Sequence, residues 1–159
     1  MSAAAELCIP RIRDMCADDT VEVAAIEQAS YDFPWTEGIF RDCLRVGYRC
    51  RVLLNDEEII GYGVLAAAAG EAHLLNLCVC PERRREGFGR FLLEHMLEFA
   101  RADGAQRIFL EVRPSNHAAR ELYRSTRFEQ IARRPRYYQA PLGREDALVL
   151  ALDLRDRED

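Results

Sequence analysis

The stretch Pro81-Glu82-Arg83-Arg84-Arg85-Glu86-Gly87-Phe88-Gly89-Arg90 joins an apolar, β-type run to a strongly amphipathic helical pattern. This order of strand, basic turn, two glycines and helix places free backbone N–H groups and the positive end of a helix at one point, where a phosphate can bind. The glycines let the backbone approach a ligand oxygen closely, and the arginines add positive charge. The stretch predicts a site for a nucleotide-like ligand. The alternative is a solvated basic turn before an ordinary helix.

Several other chemistries are disfavoured by residues that the chain lacks. A P-loop needs a lysine after its second glycine, and all 22 basic residues are arginine. The dinucleotide fingerprint needs a third glycine. A zinc site is improbable because there is no C-x-x-C pair and the three histidines are scattered. An acyl-cysteine route at Cys78 is conceivable, but a buried apolar role is favoured.

Length and composition predict one soluble domain. The chain has 159 residues, of which 49% are hydrophobic and 31% charged, and no apolar run approaches the ~20 residues that span a bilayer. The first residues lack the basic segment and apolar stretch of an export signal. The six cysteines lie mostly in apolar periodic segments, so we expect them to be reduced and the protein to be cytoplasmic.

Charge is unevenly divided along the chain. Through Glu71 there are 6 arginines against 13 acidic residues, and after it 16 against 14, which gives the net charge of -5. A basic half that binds phosphates and an acidic half that attracts a basic substrate fit an enzyme with two substrates, although a solvated acidic surface explains the charge equally well. The overall acidity disfavours nucleic-acid binding.

The periodicity predicts a single α/β domain with a sheet of about seven strands and about four helices. The predicted strands are 7–15, 48–54, 59–67, 73–79, 108–112, 128–133 and 147–154, and the predicted helices are 21–31, 37–44, 87–102 and 116–126. Asn55-Asp56-Glu57 forms a hairpin turn, Thr36 caps the second helix, Gly104 ends the third, and turns at Pro135 and Pro141-Leu142-Gly143 separate the last two strands.

Inward-facing residues are also predicted. The first helix presents a stripe of Val21, Ala24, Ala25, Ile26 and Ala29; the second presents Ile39, Phe40, Cys43 and Leu44; Phe91, Met96 and Phe99 of the third belong to the core.

These features together resemble the GNAT acetyl-CoA N-acetyltransferases over nearly the whole chain. The R-x-x-G-x-G loop that opens the third helix is followed by a strand, an Asn-containing turn, a helix and a final hairpin. The resemblance implies that Arg84-Arg85-Glu86-Gly87-Phe88-Gly89 is the pyrophosphate motif, with arginine where glutamine is also common. It implies acetyl-CoA as the acetyl donor, and no metal.

Finer motifs are similar to the RimI branch of that family, which acetylates protein N-termini. They are Phe33-Pro34-Trp35, Asn76-Leu77-Cys78-Val79, Leu110-Glu111-Val112-Arg113, Ser115-Asn116, Leu122-Tyr123 and Tyr137-Tyr138. Arg127 stands where the branch has glycine before Phe128. The implied acceptor is the N-terminal alanine of the eighteenth small-subunit ribosomal protein of bacteria, a basic chain end, with no nucleic acid or membrane as partner.

Acetyl transfer to an amine needs a proton acceptor, stabilisation of the oxyanion and a proton for the thiolate. An α-amino group, with a pKa of ~7.7 to 8.0, is partly neutral near pH 7, whereas a lysine amine at ~10.4 is charged. Glu111, at the end of a buried strand, is the candidate acceptor; the alternative is a salt bridge with Arg113 or another arginine. The resemblance makes Tyr123 the acid; otherwise it is core packing.

Binding roles follow from the same resemblance. The strand Leu77, Cys78 and Val79 contacts the pantetheine arm, Arg85 to Arg90 hold the pyrophosphate, and Asn116 contacts the cofactor or only caps its helix. Four aromatic side chains form the walls of the peptide slot, or else plug the core: Phe33, Trp35, Tyr137 and Tyr138.

Two other functions stay open. The same fold could acetylate a small-molecule amine or a lysine side chain, or the chain could be an acyl-CoA-binding module without activity.

Overall fold

A computed structural model describes residues 9–155. Seven strands form one mixed sheet in the order β1-β2-β3-β4-β5-β7-β6, in which only β4 and β5 pair in parallel. The strands are β1 Arg11–Asp14, β2 Arg49–Asn55, β3 Glu58–Ala68, β4 Glu71–Val79, β5 Arg107–Val112, β6 Glu129–Ala140 and β7 Gly143–Asp153. The helices are α1 Thr20–Ser30, α2 Glu37–Arg45, α3 Phe88–Ala102 and α4 His117–Ser125. This confirms the predicted fold class.

Two hydrophobic cores lie on the two faces of the sheet. The first contains α3 residues such as Met96 and extends from Leu53 on β2 to Leu148 on β7. The second packs Val23 of α1 and Phe40 of α2 against the strands β2 to β4. The first core therefore spans both halves of the sheet, and the second covers only the half that precedes β5.

Three helices end in the same hydrogen-bonded motif, with a left-handed residue after the C-cap. After α3, Gly104 donates to the Arg101 carbonyl and Ala105 to the Ala100 carbonyl, as the predicted stop requires. Gly47 takes the equivalent place after α2. After α4 the place belongs to Arg127, whose φ is 73°. A side chain is strained in this conformation, and glycine is not.

Five residues that were expected to face the core are exposed. Val21, Ile39 and Phe91 leave 61%, 40% and 40% of their surfaces in water, and Ala25 and Ala29 also face solvent. The predicted stripe of α1 was wrong at Val21, Ala25 and Ala29, because the helix turns Thr20, Val23 and Glu27 inward. Ala24 and Ile26 of the same stripe do pack against the second core. Glu27, an acidic residue on that buried face, interrupts its apolar pattern, so the sequence indicated the wrong face of the helix.

The ends of the chain also differ from expectation. The first strand is shorter than predicted, and Leu7 and Cys8 lie outside the described residues. The final hairpin is longer: its turn lies at Pro141 and Leu142, and Pro135 lies within β6. The prediction of a turn at Pro135 was wrong. The strand continues through the proline because its register with β7 shifts between Arg134 and Tyr138, as in a β-bulge.

Candidate active site

The strands β4 and β5 part after a short pairing. Three residue pairs join them, from Glu71 with Arg107 to His73 with Phe109. Beyond His73, β4 keeps its pairing with β3, and a bulge lies at Leu75. The edge of β4 that faces β5, residues 74–79, is called here the free edge of β4. The predicted Leu77, Cys78 and Val79 lie in this stretch. Successive residues direct their backbone groups to opposite edges of a strand, so some of these groups face the gap and can hydrogen-bond a ligand there.

The loop after β4 begins with a short 3-10 turn, Pro81–Arg83. Arg83 forms an ion pair with Glu86 at 2.9 Å, and Arg84 folds back to donate to the Val79 carbonyl at 3.2 Å. Arg85 has a left-handed φ of 65° and no hydrogen bond or ion pair within residues 9–155. Arg85 is therefore the guanidinium of this loop that is available to a ligand.

Helix α3 starts beside this loop at Gly87, whose φ of 85° suits glycine. The first N–H groups of the helix lack partners within it, and its first turn contains no acidic residue. A side chain at Gly89 would meet only Leu122, at 3.5 Å, so nothing in the protein itself requires glycine there. The bare backbone, the helix end and Arg85 together offer the groups that can bind an anion, as the sequence predicted.

Arg90 and Asn116 make contacts of their own within the fold. The Arg90 guanidinium donates to the Ser125 hydroxyl at 2.5 Å and lies 3.9 Å from Glu94. The Asn116 side chain accepts from the Ala119 N–H at 3.2 Å and caps α4. The sequence had left two roles open for Asn116, cofactor contact and helix cap, and the structure shows the cap. Binding of the cofactor by these two residues stays a prediction.

Glu111 lies where β4 and β5 part. Its carboxylate is hydrogen-bonded to the His73 ring at 2.5 Å, and Arg134 lies 3.8 Å away. The His73 ring in turn stacks on Phe109. Burial opposes ionisation of Glu111, but the hydrogen bond with His73 and the nearby charges outweigh it and lower the pKa of the carboxyl. Glu111 is thus ionised at neutral pH and can accept a proton.

Tyr123 lies on α4 and is buried. Its ring packs edge-on against Phe128, and its carbonyl accepts the Phe128 N–H at 3.0 Å. Burial, with smaller contributions from Tyr138 and Cys78, raises the pKa of the phenol. The hydroxyl makes no hydrogen bond with any described residue. It is therefore a protonated donor without a partner, held in place by the end of its own helix.

The aromatic pair on β6 lies beside these groups. The Tyr137 and Tyr138 rings meet edge-on at 4.8 Å, and the Arg113 guanidinium lies 4.3 Å from the centre of the Tyr138 ring. Burial raises the pKa of Tyr138, with further contributions from Tyr137 and Glu111. Arg113 pairs with Glu145 at 3.2 Å. Glu111 does not pair with Arg113, but the alternative to catalysis also allowed another arginine, and Arg134 forms that ion pair with Glu111 at 3.8 Å.

The comparisons with known proteins agree with this geometry. Residues 10–128 match the sequence profile of the Acetyltransferase (GNAT) family. The chain belongs to the GNAT family. It is 36% identical over 129 residues to the [ribosomal protein bS18]-alanine N-acetyltransferase of Escherichia coli, covering 81% of this chain and 87% of that one. The protein of the same name from Haemophilus ducreyi is 33% identical, and the match covers 90% of this chain and 99% of that one.

Solved structures show the same relationship. The crystal structure of the Escherichia coli ribosomal-protein-S18-alanine N-acetyltransferase aligns with a TM-score of 0.87 at 32% identity and covers 95% of this chain and 97% of that one. A fold neighbour from Salmonella typhimurium, YncA, at 20% identity, was solved with acetyl-CoA. The family assignment confirms acetyl-CoA as the donor that was predicted for this chain.

The residues present fit such a donor. The GNAT chain offers a free strand edge for an amide-rich arm and an anion site at the start of α3 for a diphosphate. No group of three or more His, Cys, Asp or Glu side chains in residues 9–155 could hold a metal ion. Nor is any helix of that part of the chain long and apolar enough to cross a membrane.

The α1–α2 loop, residues 31–36, contains the two other predicted wall residues. Phe33 is 42% exposed, whereas the Trp35 ring packs against Phe40 at 5.4 Å and joins the second core. The Trp35 N–H donates to the Glu27 carboxylate at 2.8 Å. Phe33 is therefore the aromatic side chain of this loop that is open to a ligand.

Sequence reasoning missed His73 and Glu27. His73 was classed only as a strand residue. Its pairing with Phe109 in the sheet register places it on the same face as Glu111, two residues further along β5. Glu27 was hidden in a helix with an incorrectly predicted inner face. The sequence does contain a signal for Glu27. It lies three residues after Ala24 and four after Val23, so the three side chains share one face of the helix, and an acidic residue stands on an apolar face.

Proposed function

We propose that this protein transfers the acetyl group of acetyl-CoA to the N-terminal α-amine of a protein, and that the acceptor is the N-terminal alanine of ribosomal protein bS18. The relatives of that name match nearly the whole chain. The observation that carries the proposal is the ionised Glu111 beside the parting of β4 and β5, with the protonated Tyr123 nearby. A ribosomal acceptor implies that the reaction takes place in the cytoplasm.

The proposed transfer is direct, with both substrates bound together. The amine nitrogen forms a bond to the acetyl carbon, the bond from that carbon to sulfur breaks, and the thiolate leaves. Glu111 takes the proton that the amine loses, directly or through water. Tyr123 gives its proton to the departing sulfur. Backbone N–H groups on the free edge of β4 orient the thioester and stabilise its oxyanion.

The donor and acceptor are proposed to enter from different directions. The pyrophosphate binds at the start of α3, held by Arg85 and the bare backbone of Gly87 and Gly89. The pantetheine arm lies along Leu77 to Val79. The acceptor chain lies between Phe33 of the α1–α2 loop and Tyr137 and Tyr138 of β6.

A paired-peptide assay tests the proposal. The purified protein is incubated with acetyl-CoA and either a peptide that begins Ala-Arg or its N-terminally blocked form with an internal lysine. Thiol release and mass spectrometry are expected to show one acetyl group on the α-amine of the first peptide and none on the second. Acetylation of the lysine alone would replace the proposed function with lysine transfer. Binding of acetyl-CoA without turnover on either peptide, or on intact bS18, would indicate a binding module.

A further inference from the structure

We infer that Glu27 is a positioning residue that fixes the α1–α2 loop against the free edge of β4 and so sets the affinity for the acceptor. The inference rests on the proposed function, because it concerns the acceptor of that same reaction. It starts from a buried carboxylate, 3% exposed, for which the proposed chemistry has no role.

The Glu27 carboxylate receives three hydrogen bonds from three different parts of the chain. One oxygen accepts from the Tyr62 hydroxyl at 2.6 Å and from the Asn76 amide at 2.9 Å. The other oxygen accepts only the Trp35 N–H, at 2.8 Å. No basic side chain of residues 9–155 forms an ion pair with it. Burying an acidic group among neutral donors lowers the stability of the fold. If stability were the only requirement, an apolar side chain of similar size would serve better in this space.

The partners of Glu27 lie on both proposed ligand surfaces. Asn76 is on the free edge of β4, where the donor is proposed to bind. Trp35 is in the α1–α2 loop, next to Phe33, where the acceptor is proposed to bind. Glu27 thus joins the two surfaces through a single side chain.

Two further contacts anchor the end of α1 and the first residue of the α1–α2 loop to the same edge. The Cys78 thiol lies 3.4 Å from the Ser30 hydroxyl, and the Tyr31 hydroxyl lies 3.5 Å from the Leu77 carbonyl. These contacts hold the last turn of α1 and Tyr31 on β4. They do not reach Trp35, so the Trp35 N–H depends on Glu27 for its acceptor.

Substitutions separate positioning from mere stability. Glu27→Met keeps the length of the side chain but removes both acceptor oxygens, so the Trp35 N–H is left buried without a partner. Glu27→Gln keeps one acceptor oxygen, but donors face both oxygens of the native carboxylate, so the glutamine retains the bond to Trp35 only in part. Tyr62→Phe is the matched control, because it removes a hydrogen bond to the same carboxylate from β3 and leaves the loop contact intact.

The experiment measures KM for the Ala-Arg peptide, the Kd of acetyl-CoA and the fluorescence of Trp35, which is the single tryptophan of the chain. Loss of one bond to a charged group corresponds to about a ten-fold change in affinity. We expect Glu27→Met to raise the peptide KM by about that factor, to red-shift the Trp35 emission and to leave the Kd of acetyl-CoA within about two-fold. Glu27→Gln should fall between Glu27→Met and wild type, and Tyr62→Phe should match wild type in all three.

The inference is overturned if Tyr62→Phe raises the peptide KM as much as Glu27→Met does. It is also overturned if Glu27→Met raises the Kd of acetyl-CoA by the same factor as the peptide KM. Should Glu27→Met fail to fold, Glu27→Gln decides: wild-type emission and wild-type KM in that variant would overturn the inference. If wild-type protein acetylates no peptide, the proposed function fails. The Trp35 emission of the variants still tests Glu27 in that case, because it needs no turnover.

Discussion

At the scale of single residues, the proton chemistry depends on how Glu111 stays ionised. Its folded pKa lies below the ordinary value because His73 and nearby charges outweigh burial. The stability that this ionisation gives is therefore complete above the unfolded pKa of about 4.5, and is lost as the pH falls through the lower folded value. Near neutral pH the carboxylate is already ionised, so we expect the neutral fraction of the acceptor amine, whose pKa is ~7.7 to 8.0, to set the pH dependence of the proposed reaction.

Replacing Glu111 by glutamine should lower kcat for the Ala-Arg peptide by about a hundred-fold, because the amide cannot accept the proton. Stopped assays give kcat, and calorimetry gives the Kd of acetyl-CoA, which should stay as in wild type. A kcat within two-fold of wild type would remove Glu111 as the proton acceptor.

Replacing His73 by phenylalanine should move the acid limb of the rate profile to higher pH. The new ring can keep the stacking on Phe109, but the hydrogen bond to Glu111 is lost. Burial then raises the pKa of Glu111. The measurement is kcat/KM from pH 4.5 to 8 for variant and wild type. Identical acid limbs would show that His73 does not tune this carboxylate.

Replacing Tyr123 by phenylalanine should lower kcat by about ten- to a hundred-fold while acetyl-CoA binds as before, because only the hydroxyl proton is lost. The ring still packs on Phe128, so the fold is expected to persist. Thermal unfolding serves as the control. Turnover equal to wild type would leave Tyr123 with a packing role only.

At the scale of elements, short-range sequence patterns predicted most of the features that depend on neighbouring residues. The basic turn, Gly87 and α3 were found because phosphate-binding loops are short-range features. The partner of Glu111 was not found, because His73 is 38 residues away along the chain and only the sheet register brings them together. Pro135 misled the prediction because strands usually exclude proline, and here a register irregularity accommodates it.

The end of α4 offers a test of such a local rule. Arg127 occupies a left-handed position that Gly47 and Gly104 occupy after α2 and α3. Arg127→Gly should raise the free energy of unfolding by about 1 kcal/mol, since the strain of a side chain outweighs the entropy cost of glycine. Gly104→Arg, the reverse change at the end of α3, should lower it by a similar amount. Denaturant titration measures both, and opposite signs would refute the rule for this fold.

At the scale of the whole molecule, the cores and the strand pairing are arranged differently. The first core runs beneath the sheet from β2 to β7, but only three residue pairs connect β4 to β5. The half from β1 to β4 and the half from β5 to β7 are thus joined by a short strand pairing and by side-chain packing within the first core. This arrangement leaves room for a ligand between the halves without unfolding either of them.

Acetyl-CoA should therefore stabilise the folded protein strongly. At a hundred times its Kd, the expected gain in unfolding free energy is about 2.7 kcal/mol. Differential scanning fluorimetry with and without acetyl-CoA measures it. Gly87→Ala, which strains the left-handed start of α3, should reduce the gain at the same concentration. An unchanged melting temperature of the wild type would contradict binding between the halves.

The parting of β4 and β5 has a consequence for the life of the protein in the cell. If the donor supplies the hydrogen bonds that the neighbouring strand withholds, loading with substrate and completion of the sheet are a single event. Because a ligand that binds only the folded state lowers the unfolded fraction, the donor concentration would then set how long each molecule survives proteolysis as well as how fast it works.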